Sequence, residues 1–63
     1  MAYQIQREHP VTRKIQYYKW TNEGRPIYAG KSQAAQLDER AARSACAHLQ
    51  QLYPDEKIEV VGA

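Results

Sequence analysis

The chain has 63 residues, 43% of them hydrophobic, with nine lysines and arginines against seven aspartates and glutamates and a formal net charge of +2. A chain this short buries only about 60% of its unfolded surface, which supports one small core and a single domain over residues 1–63 and leaves little room for an enzyme pocket. The lone cysteine, Cys46, excludes an internal disulfide, and no Cys/His spacing fits a structural zinc, so a reducing, cytoplasmic setting is expected.

Tyr3-Gln4-Ile5-Gln6-Arg7 alternates apolar and polar side chains with the period of a strand that has one buried face. His9-Pro10 stops it, because proline has no N–H to give a ladder. No run of ~18 apolar residues is present to span a bilayer, and these first residues lack the basic-then-apolar order of a secretory signal.

Residues 14–21 and 25–31 are two further runs rich in β-branched and aromatic side chains, separated by Asn22-Glu23-Gly24. A loop of this kind, with Gly24 supplying the left-handed residue, closes a hairpin and sets its register. Thr21 then faces Arg25, Trp20 faces Pro26, Lys19 faces Ile27, Tyr18 faces Tyr28 and Tyr17 faces Ala29. Residues 32–36 read as a loop or an early helical turn.

From about Leu37 to Tyr53 the spacing becomes helical, with Leu37, Ala41, Ala42, Ala45, Leu49, Leu52 and Tyr53 on the apolar side. Asp38 and Glu39 suit the positive end of the helix dipole, and Pro54 ends the helix. The alanines allow a close approach to a sheet. Asp55-Glu56 is a turn, and residues 57–61 alternate as a last short strand. The predicted fold is therefore α+β: a small antiparallel sheet in β-β-β-α-β order with one amphipathic helix packed on one face.

This register gives the hairpin two apolar sides. Ile15, Tyr17, Lys19, Ile27 and Ala29 share one, and Gln16, Tyr18, Trp20, Pro26, Tyr28 and Gly30 share the other. One helix covers one side of a sheet, so the second is left for a partner. Tyr3, Ile5, Ile58 and Val60 group with the isoleucine set, which is expected inside, and the Tyr18, Trp20 and Tyr28 cluster is expected outside as the contact centre. Lys14, Lys19 and Arg25 form its charged rim, in a half of the chain where six cations (Arg7, Arg13, Lys14, Lys19, Arg25, Lys31) meet only Glu8 and Glu23.

Such a face fits docking onto a protein, which needs no motif. It also fits nucleic acid, with aromatic stacking platforms beside phosphate-pairing cations, or a homodimer. The hairpin and helix resemble the sheet-and-helix layout of integrase arm-binding domains, which implies DNA contact; the strand at 58–61 departs from that layout. The order of elements is also similar to that of small phage-encoded inhibitors of host enzymes, which implies an inhibitor or adaptor of a larger protein machine.

Catalysis is not expected. His9 and His48 have no nucleophile or carboxylate at informative spacing, and His48 is expected at the edge of the helix's buried side in a structural role. Cys46 reads as a small packed hydrophobe. Asp55, Glu56 and Glu59 fall far short of a calcium loop, and Gly30-Lys31-Ser32 lacks the upstream glycine of a phosphate loop, Arg25 standing there. No catalytic residue, metal or cofactor is expected, nor any membrane contact.

Overall fold

The structure, a computed structural model, describes residues 2–62. The elements run β1 (Tyr3–Glu8), β2 (Ile15–Trp20), β3 (Pro26–Ala29), a 3-10 turn (Lys31–Gln33), α1 (Glu39–Leu52) and β4 (Lys57–Gly62). The four strands form one antiparallel sheet in the order β3-β2-β1-β4, with α1 packed on one side. This is the small α+β architecture that the periodicities predict. The radius of gyration is 10.8 Å, beside the ~10.6 Å of a compact chain of this length. Among the described residues, no helix is long and apolar enough to cross a membrane.

The hairpin closes as its loop chemistry requires. Gly24 takes φ +84° and its N–H donates to the Thr21 carbonyl at 2.9 Å, while Thr21 N–H donates to Arg25 O at 2.9 Å. The ladder then pairs Trp20 with Pro26, Lys19 with Ile27, Tyr18 with Tyr28 and Tyr17 with Ala29, the predicted register. Arg13, in the β1–β2 turn, also has a positive φ of 61°, a conformation costly to any side chain with a Cβ.

The β1–β2 ladder runs only from Glu8↔Ile15 to Gln6↔Tyr17. Beyond that point the chain arriving from β3 fills the gap: Ala35 N–H donates to Tyr18 O, and Tyr3 and Leu37 exchange a pair of backbone hydrogen bonds of 2.7 and 2.8 Å. The 3-10 turn contacts β2, and its Lys31 carbonyl accepts from the Gln4 amide, which leaves Gln4 buried. Gln4 precedes Ile5 on the strand and so points to the opposite side, away from α1. The segment at 31–37 thus shelters one corner of the helix-free side and delivers the chain to α1.

Asp38 caps α1 by accepting from Ala41 N–H at 2.7 Å, satisfying a donor the first turn leaves free. The stripe that meets the sheet is Ala42, Ala45, Cys46 and Leu49, spaced i, i+3, i+4, i+7. Ala41, Leu52 and Tyr53, expected on this side, are exposed: Ala41 falls one residue position around the helix from the contact line, whereas Leu52 is the last helical residue and Tyr53 the C-cap beyond it. His48 is likewise exposed rather than partly buried. Cys46 is packed as expected, its thiol donating to Ile58 O at 3.6 Å, and burial, then the Glu59 carboxylate, push its pKa up.

Candidate docking face

The core consists of Ile5, Tyr18, Ala42, Leu49 and Ile58, with Tyr3, Trp20, Leu37, Ala45, Cys46 and Val60 packed against it. This corrects the expected orientation of the hairpin. Tyr18 is 1% exposed beneath the helix, Trp20 is half-buried beside it with ring centroids 6.4 Å apart, and the isoleucine set faces away. The physical reason lies in the helix. Alanines at its contact line fill little of the interior, so the sheet must supply the bulk, and Tyr18 and Trp20 fill that space better than Ile15 and Tyr17 do.

Tyr28 stands on the same side as its partner Tyr18, 5.4 Å between centroids, but at the edge strand, where it stays 46% exposed. Beneath it lies a polar cluster. The Arg7 guanidinium lies 4.4 Å from the Tyr28 ring centre, donates to Gln16 Oε1 and forms a buried ion pair with Glu56. Gln50 holds the Glu56 loop by donating to the Glu56 carbonyl at 2.8 Å. The Tyr18 hydroxyl is buried in this cluster without a hydrogen-bond partner. Burial, with Glu56 and Tyr28 adding to it, holds its phenol well above the usual ~10.

The side without a helix is built by the alternate residues. Register places Ile15, Tyr17 and Lys19 of β2 beside Ile27 and Ala29 of β3 and Gln6 and Glu8 of β1. Ile15 is 44% exposed and Ile27 39%, with Tyr17, Lys19 and Ala29 half-buried between them. Val11, in the turn next to Ile15, is 82% exposed. The β1–β4 part of this side is mostly polar, with Gln4, Gln6, Glu8, Lys57 and Glu59 around the half-buried Val61, and Lys57 pairs with Glu59 at 3.7 Å.

Of the expected contact residues, Tyr18, Trp20 and Tyr28 therefore do not form the free face, whereas Lys19 lies on it opposite Ile27. Lys14 and Arg25 are exposed just before β2 and β3, at opposite ends of the hairpin. Ile15, Tyr17 and Ile27 were sorted together by the sequence but assigned to the wrong side. The signal that could have reversed the choice is the small volume of Ala42 and Ala45, which calls for large rings across from them. Among the described residues there is no cluster of metal-ligating side chains and no enclosed cavity.

No protein family, no curated protein and no solved structure matches this chain.

Proposed function

We propose that this domain is a non-enzymatic protein-binding module that docks through the helix-free side of its hairpin, acting in the cytoplasm as an inhibitor or adaptor of a larger protein machine. The observation that carries the reading is the pair of branched aliphatic side chains, Ile15 and Ile27, 44% and 39% exposed around Tyr17 with no second layer over them. Contiguous apolar surface on one side of a small sheet marks an interaction site, and apolar area removed from water is its driving force. The inhibitor or adaptor role is supported only by the similar order of elements noted above.

The experiment is capture from a lysate of the cells that make the protein, with and without nuclease. Tyr17→Asp and Ile27→Asp are expected to lose the captured protein while retaining the wild-type circular dichroism; retained capture by both variants rules out this face. Nucleic-acid binding is the second reading, favoured by the exposed cations Arg13, Lys14, Arg25 and Lys31. It requires capture to vanish with nuclease and to weaken steeply with salt.

A further inference from the structure

The occupant of this face can be narrowed by charge. Among the described residues the ion pairs are Arg7–Glu56, Arg43–Glu39 and Lys57–Glu59. Arg13, Lys14, Lys19, Arg25, Lys31 and Arg40 therefore have no carboxylate partner there. All but Arg40, which is on α1, belong to the hairpin or to the turns that lead into and out of it: Arg13 and Lys14 at the Ile15 end, Arg25 at the Ile27 end, Lys19 on the face itself and Lys31 just after β3. The apolar patch is thus framed by five cations without an ion-pair partner, against two carboxylates in the same region, Glu8 across from Ile15 and Glu23 in the hairpin turn.

We propose that the partner is an acidic protein surface with an apolar centre. The proposal rests on the docking reading above and names its occupant. A second copy of this chain would bring cations against cations around the patch, and like charges juxtaposed across an interface oppose association. A nucleic acid would meet the cations but lose its stacking platforms. Tyr18 and Trp20, the rings that would serve a base, are turned under the helix, and the outward centre is Ile15, Ile27 and one ring, Tyr17. Branched aliphatics fill a protein interface core, while lysine and arginine at the rim steer an oppositely charged partner and fix its register.

The test is selection of a displayed random peptide library on the full-length purified chain, with Tyr17→Asp as the counter-target. Enriched peptides are expected to combine aspartate and glutamate with leucine, isoleucine or aromatic residues and to be lost on Tyr17→Asp. A synthetic copy of one should bind about tenfold or more weakly to the Lys19→Glu/Arg25→Glu variant. Peptides that are neutral or basic yet still depend on Tyr17 overturn the acidic partner and leave the docking face standing. Peptides indifferent to Tyr17→Asp, or no enrichment, overturn both. Two further arms name the rival occupants: oligodeoxythymidylate binding more tightly than the best peptide assigns the face to nucleic acid, and a dimer in sedimentation equilibrium assigns it to a second copy.

Discussion

The two sides of the hairpin are made from adjacent residues of the same strands, yet they do opposite work. Under the helix, Tyr18 joins Ile5, Leu49 and Ile58 in the core, and Trp20 packs against them. One residue away, Tyr17 and Lys19 face outward beside Ile27. Both sides carry rings and aliphatics, so composition does not distinguish a core from a contact surface here. The difference is set by what lies opposite: an alanine-lined helix on one side, only the corner formed by residues 31–37 on the other.

The largest expected effect separates the neighbouring tyrosines. Tyr18→Ala removes a buried ring and should cost about 3–5 kcal/mol, enough to unfold a domain of this size, whereas Tyr17→Ala should shift the urea midpoint little. Equal losses from the two would break the distinction between the sides.

Arg7→Met is next. It strands the Glu56 carboxylate, whose side chain is only 10% exposed, and should destabilise by about 3 kcal/mol or more. Adding Glu56→Leu should restore most of that loss, because two uncharged side chains leave no buried charge unpaired. Denaturation of wild type, both single variants and the double variant in parallel measures the coupling.

Tyr18→Phe should leave stability at neutral pH unchanged or raise it by about 1 kcal/mol, since the deleted hydroxyl is buried without a partner. The variant also isolates a pH dependence. The folded-state phenol is raised, so the folded chain holds its proton more tightly than the unfolded one. Its contribution to stability is complete below the unfolded pKa of ~10 and declines as pH rises above it. Denaturation between neutral and alkaline pH should show a shallower fall for Tyr18→Phe than for wild type.

The smallest effects belong to the open side and its turns. Ile27→Asp should change stability by less than about 1 kcal/mol, because the side chain is 39% exposed. Arg13→Gly should stabilise by roughly 0.5–1 kcal/mol by relieving a left-handed residue that carries a Cβ. A large loss from Ile27→Asp would mean that the supposed contact surface is a second core.

Much of the fold was legible in the chain. Strand alternation at Tyr3-Gln4-Ile5, the Gly24 loop and the helical spacing ending at Pro54 are local signals, and the structure keeps each. Arg7 was harder to read. Its alternation places it with Tyr3 and Ile5 on the inner side, but its burial depends on Gln16, Tyr28 and Glu56, which converge only after folding. Gln4 was hidden for the same reason, its amide being held by a turn distant in sequence.

By itself, then, the sequence determined the elements, their order, the hairpin register and which side chains travel together on each side of the hairpin, because those follow from backbone periodicity and turn geometry over a few residues. Tyr3, Ile5, Ile58 and Val60, expected with the isoleucine set, instead share a side with Tyr18 and Trp20. Tertiary structure alone decided which of the two sets went inside. Hydrophobic burial is proportional to area and has no direction, so two sets of similar apolar content are separated only by the shape of the layer they must pack against. The alanine stripe of the helix made that choice, sending Tyr18 and Trp20 inward and leaving Ile15, Tyr17 and Ile27 to the surface.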